Sequence, residues 1–171
     1  MDYDTHPLAV DSLNTFKFFL GGLKIVSGDI SLEDKQLLYT ASILAHHAQT
    51  SRATTSGHVS PGSLSDIFDQ FVFRPSLIGD PDLLETAGAQ CMIMSGFFQN
   101  QSQRRHKISW YSEIGSGFYW RASQLESSRQ KARVLHQISE DFELWRGRCA
   151  LLSDFLRYQR YLLNLDFETK D

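Results

Sequence analysis

The chain has 171 residues and a mass of 19.6 kDa, with 42% hydrophobic, 12% aromatic and 22% charged residues and a formal net charge of −3. That is the size of one domain with side chains for a sizeable core, which excludes collagen, a coiled-coil rod and wholesale disorder. No apolar run reaches the 18 or so residues needed to cross a bilayer, the acidic Met1-Asp2-Tyr3-Asp4 start is unlike a signal peptide, and two cysteines make neither a disulfide framework nor a Cys-based zinc site; a cytoplasmic protein is expected.

Pro7 can open a first helix over residues 8–20, with Leu8, Phe16, Phe19 and Leu20 as its apolar stripe. Gly21-Gly22 weakens it and Ser27-Gly28-Asp29 ends the segment. Ser31 then reads as an N-cap with Glu33 and Asp34 in the first turn. The helix it opens is predicted to reach about Arg52, with Leu37, Leu38, Ala41, Leu44 and Ala45 on one face. Residues 53–63 are small and polar and are expected to form an exposed loop. A short helix carrying Leu64, Ile67, Phe68, Phe71 and Val72 follows, stopped by Arg74-Pro75.

Asp80-Pro81 is a strong helix start, with the carboxylate at the N-cap and proline at the first position. Leu84, Ala87, Cys91, Met94 and Phe98 follow at helical spacing. After the polar stretch 99–107, Ile108, Tyr111, Ile114 or Gly115, Phe118, Ala122 and Leu125 step again by three and four. The most regular segment comes last. Leu135, Ile138, Phe142, Trp145, Cys149, Leu152 and Leu156 alternate steps of three and four, an a/d seam, with Gly147 as the place where the helix is expected to weaken or break. No segment alternates with period two and no repeat is visible. The expected fold is all-α: a single domain over residues 1–171, a bundle of about six helices with a long C-terminal helical segment.

Chemistry is sparse. The six histidines form neither Glu-x-x-His pairs nor a His-Glu-x-x-His motif, and His46 and His47, about 100° apart on a helix, are read as one polar-facing and one half-buried residue. Neither a metal nor a cofactor is predicted. Cys149 sits near Arg146 and Arg148, which could activate a thiol, but its seam position favours core packing; Cys91 reads the same way. No catalytic residues are assigned, because no nucleophile elbow, phosphate loop or Ser/His/Asp set is legible. Gly115 and Gly117 stand among Trp110, Tyr111, Phe118, Tyr119 and Trp120, where small residues suit close helix approach. The alternative is a ligand pocket walled by Phe98, Trp110, Tyr111, Glu113, Tyr119 and Arg121.

Charge is uneven. Residues 1–103 carry five Lys/Arg against eleven Asp/Glu, and residues 104–171 carry twelve against nine. The basic surplus begins at Arg104-Arg105-His106-Lys107, where Arg104, Arg105 and Lys107 are expected on the surface at a helix start as a weak anion site. The acidic first part disfavours nucleic acid.

The order Leu-Leu-Glu-Thr-Ala-Gly, then Gly96-Phe97-Phe98, Arg104-Arg105-His106, Trp110-Tyr111 and Gly117-Phe118-Tyr119, over residues 80–122, resembles a functionally uncharacterised family of bacterial proteins. The resemblance implies a bacterial, cytoplasmic origin and brings no site residues. The functional expectation is a non-enzymatic protein acting through helix–helix contacts, as a homo-oligomer or with a protein partner, and not at a membrane. A small-molecule sensor or enzyme using the aromatic pocket is the alternative.

Overall fold

A computed structural model describes residues 12–53, 78–100 and 105–158, with side chains described except at 51–53 and 105–107. Among these residues there are six α-helices and no strand: α1 (Ser12–Ser27), α2 (Lys35–Ala53), α3 (Pro81–Met92), α4 (Arg105–Leu125), α5 (Arg129–Glu140) and α6 (Phe142–Tyr158). A single π-helical turn, Ile93–Phe97, extends α3. The fold is an all-α bundle. The expected loop at 53–63, the helix at 64–73 and the segment before Ser12 lie outside the described residues, apart from Ala53 at the end of α2.

Local chemistry explains most boundaries. α1 runs through Gly21-Gly22 and stops at Gly28, whose φ of +72° suits the left-handed conformation that closes many helices. Its Lys24 ammonium bonds the carbonyl of Ile30, tying down the turn. α2 begins later than Ser31 suggested. Asp34 is its cap, accepting from the Leu37 amide at 3.0 Å, while Ser31 Oγ closes the preceding turn by accepting from the Glu33 amide at 3.2 Å. α3 starts as expected, Asp80 accepting from the amides of Asp82 and Leu83 at 2.9 and 3.4 Å, with Pro81 next.

The C-terminal seam is one buried face on two helices. Leu135, Ile138, Phe142, Trp145, Cys149 and Leu152 are all buried, and Leu156 packs against them. The break lies at Asp141, not at Gly147. There Gln36 holds the corner from α2: its amide donates to Asp141 Oδ2 at 3.1 Å and accepts from the Trp145 indole at 2.6 Å. A glycine in mid-helix weakens the helix without breaking it; a corner pinned by tertiary bonds does break it. The seam therefore turns, α5 packing on α4 and α6 on the π turn and α1.

Four of the described glycines stand at close approaches, Gly22 among them, where a methyl would meet Leu152 Cδ1 at 2.6 Å. A methyl at Gly96 would meet the Arg146 carbonyl oxygen at 2.7 Å, one at Gly115 the Phe142 ring at 2.5 Å, and one at Gly88 the Tyr119 ring at 2.9 Å. The π turn is held from outside by Arg146, which donates to the carbonyl of Ser95 at 3.0 Å and to Gln99 at 3.2 Å. Its other guanidinium face pairs with Glu143, which holds that carboxyl below its usual range.

Candidate functional site

Two helix faces oppose each other without packing together. On α2 the stripe is Tyr39, Ser42, Ile43, His46, His47 and Thr50; on α3 and its π turn it is Asp82, Glu85, Thr86, Ala89, Gln90 and Ile93. Both step by three and four, so each is a single face. The groove between them is open to solvent along its rim and has a volume of about 500 Å³. It stays open because each helix is held by another neighbour, α2 by α1 and α3 by α4.

A chain of polar contacts forms its floor. Tyr39 Oη lies 3.0 Å from Glu85 Oε1 and 3.2 Å from the hydroxyl of Tyr119 on α4. A carboxylate can only accept, so Tyr39 donates its one proton to Glu85 and receives that of Tyr119. Burial first, then the neighbouring Tyr119 and Glu85, raises the Tyr39 pKa well above its ordinary value; burial raises that of Tyr119. Both hydroxyls stay protonated. Behind Glu85, Lys131 of α5 lies 2.7 Å from Glu85 Oε2, 3.3 Å from Glu126 and 3.6 Å from Asp82. The bond to Glu85 is the main reason its ammonium holds its proton above the usual lysine range.

The histidines stand further along α2. His46 is exposed and His47 half-buried, its ring edge-on to Phe98 with centroids 5.8 Å apart. Desolvation, then the adjacent His46, pushes the His47 pKa below its ordinary value, so it is neutral at neutral pH. Among the described residues no three His, Cys, Asp or Glu side chains are placed to hold a metal ion.

The six residues proposed from sequence as a ligand pocket do not line one cavity. Tyr111 and Tyr119 point into the core, whereas Trp110, Glu113 and Arg121 are exposed on other faces of α4. Adjacent residues on a helix diverge by about 100°, so crowding of aromatics in sequence does not bring them together. Phe98 lies away from them, between Phe97 and His47. Two of the six nonetheless touch the groove's walls: Phe98 packs on His47, and Tyr119 braces Tyr39 from below. Gly115 carries a close approach, while Gly117 faces open space.

Of the expected anion site, Arg105 and Lys107 fall in the first turn of α4; Arg104 and the side chains of the other two lie outside the described residues. Cys91 and Cys149 are buried, and burial pushes both thiols up to about 12, so neither is a nucleophile at neutral pH.

Sequence reasoning missed the groove because its walls look like two solvated helix faces. The available signal was Glu85 and Lys131, a charged residue on each of two helices with a tyrosine on a third, and only the tertiary fold pairs them. No family model matches the chain, and neither a curated protein nor a solved structure similar to it was found.

Proposed function

We propose that this chain is a ligand-binding helical protein whose site is the groove between α2 and α3. The observation that carries this reading is an open groove of about 500 Å³ lined by convergent polar groups. Small-molecule sites share that size and combine an apolar wall with a few placed polar atoms. Here Ile43, Ala89 and Ile93 supply the wall, and Tyr39, Glu85 and Gln90 the polar atoms. The groups that would orient a ligand are preorganised by the Tyr119 and Lys131 contacts.

Fragment binding followed by amide NMR shifts tests the reading. Shifts should cluster on residues 39–50 and 82–93 and vanish when the exposed wall residues Ser42 or Thr86 are changed to Trp, which fills the groove without touching the core. Fragments that shift other residues, or that bind Ser42→Trp and Thr86→Trp as well as the parent, would refute it.

A second reading, action through protein contacts as a homo-oligomer or with another protein, has different support from that expected. The a/d seam that first suggested it is used inside the bundle. What supports the reading is the outer face of α6, where Leu144, Leu151 and Tyr158, seven residues apart, are 51, 55 and 86% exposed. Sedimentation equilibrium over a hundredfold concentration range tests self-association; a mass of 19.6 kDa throughout removes it.

A further inference from the structure

We propose that the groove takes an organic cation: a protonated amine carried on an apolar body, its ammonium on the exposed carboxylate of Asp82, beside the Lys131–Glu85 pair. This rests on the ligand-binding reading above and names the class of ligand.

The charge of the site is the first argument. Two carboxylates, Asp82 and Glu85, line the groove, and among the described residues no Lys or Arg does. The cation in contact with them, Lys131, is shared with Glu126 as well, so three carboxylates surround one ammonium and leave two negative charges. Asp82 is the poorest served, 3.6 Å from Lys131 and with its side chain 82% exposed. An anionic ligand would be repelled here; a cation completes the pairing.

Shape supplies the second. Asp82 and Glu85 are three residues apart on one face of α3, and the Lys131 ammonium already reaches both, at 3.6 and 2.7 Å, which leaves the more distant and exposed Asp82 carboxylate with room for a second donor. Glu85 Oε1 already receives the Tyr39 proton and Oε2 the Lys131 ammonium, yet each carboxylate oxygen has a further lone pair. Further along the same face come Ala89 and Ile93, with Ile43 opposite on α2. From Asp82 to Ile93 is about 16 Å of helix, so the groove is polar and acidic at one end and apolar toward the other. A bare metal ion does not fit that gradient, and the side chains for one are not placed together among the described residues. An amphiphilic amine does fit it. At neutral pH the imidazole of His47, kept neutral by its partial burial, leaves the acidic field of the groove intact.

The experiment compares three probes of one shape and different charge: phenethylamine, phenethyl alcohol and phenylacetate, titrated into the full chain at pH 7.5 and followed by amide NMR shifts. A charge-assisted pair with a partly screened carboxylate implies binding of the amine about tenfold tighter than the alcohol, with phenylacetate weakest. Asp82→Asn should remove most of that preference while leaving the fold intact, because its carboxylate is exposed; Glu85→Gln should do the same, with a thermal melt reporting any loss of stability. Equal or tighter binding of the alcohol or of phenylacetate at the same residues overturns the cation and leaves the groove standing. Amine preference that survives both substitutions also overturns it, since the charge would then be read elsewhere. Absence of shifts in the groove with all three probes overturns the cation together with the ligand-binding reading.

Discussion

Four glycines in this chain should respond to the same substitution with opposite signs. Gly117 and Gly147 sit inside α4 and α6, where among the described residues nothing beyond their own helix turn lies within 4 Å of where a methyl would go. Alanine there relieves the backbone entropy of glycine and adds helix propensity, together worth about 1 kcal/mol. Gly115, two residues from Gly117 in the same helix, has the same propensity to gain. Its methyl, however, would lie 2.5 Å from the Phe142 ring tip and 2.7 Å from Cys91 Cβ, and the second of these is fixed to a helix backbone. Overpacking of that kind costs about 1–3 kcal/mol, so the net loss after the propensity gain is up to about 2 kcal/mol. At Gly96 the nearest atom is a backbone oxygen, the Arg146 carbonyl at 2.7 Å, with Cys149 Cβ at 2.9 Å. No side chain can swing aside there, and the loss should be the largest of the four.

Urea denaturation at constant m-value measures all four differences. For a chain of this size each kilocalorie also moves the melting midpoint by about 2–4 °C. The expected order of stability is Gly147→Ala and Gly117→Ala above the parent, Gly115→Ala below it and Gly96→Ala lowest. Gly115→Ala as stable as Gly117→Ala would refute the close packing of α4 against Phe142 and Cys91. A stabilised Gly96→Ala would refute the seating of α6 on the π turn.

Trp145→Ala should lose about 3–5 kcal/mol, because it empties the largest buried side chain and strands the Gln36 amide oxygen that accepts its indole; denaturation showing less than about 1 kcal/mol would place that face at the surface. Thr40→Val should stabilise the protein by about 1 kcal/mol, since its hydroxyl is buried without a hydrogen-bond partner among the described residues, and a loss on denaturation would mean that it has one. Both thiols should resist a disulfide reagent in the native state and react only at the rate of unfolding; prompt labelling of Cys91 or Cys149 would contradict their burial. His47 has a folded pKa below its ordinary 6.5, so the unfolded chain takes up a proton first: its contribution is complete above pH 6.5 and is lost as pH falls below that through the folded value. His47→Gln should flatten the pH dependence of stability in that window, and an unchanged slope would assign the dependence to another group.

What could be read from the chain divides along the range of the interactions that decide it. The start of α3 was legible because Asp80 and Pro81 act on amides two and three residues away. The seam from Leu135 to Leu152 was legible because burial imposes a period on the sequence itself. The corner within it was misplaced, since Gly147 is a local signal whereas the break is made by Gln36, 105 residues before Asp141 and 109 before Trp145. The π turn was invisible for the same reason: its geometry answers to the backbone of Arg146 packed on Gly96 and to the guanidinium that caps Ser95. The aromatic cluster of α4 misled in the opposite direction, by treating neighbours in sequence as neighbours in space.

The groove is the extreme case of long-range definition. Ser42 and His46 on α2, like Asp82 and Thr86 on α3, are residue types that any solvated helix carries, and nothing local sets them apart from a water-facing stripe. Their difference lies in what stands behind them. Tyr39 reaches Glu85 across 46 residues and Tyr119 across 80, and Lys131 reaches the same carboxylate from a fourth helix. Those bonds fix the spacing of α2 and α3 from underneath, so the two helices are joined at the floor yet do not pack at the rim. A floor of satisfied hydrogen bonds beneath a space that none of the described residues fills is costly to leave as mere surface, because ordering Tyr39 and Glu85 takes side-chain entropy that a solvated face would not require. The stability of that floor can therefore be separated from its use. Tyr39→Phe removes one hydroxyl, keeps the ring, and leaves Tyr119 and Glu85 each short of a partner. If the network only braces the bundle, the variant should lose about 1–3 kcal/mol and nothing else. If it also shapes a binding site, amine binding should weaken further than the fall in stability explains, under conditions where both proteins are fully folded.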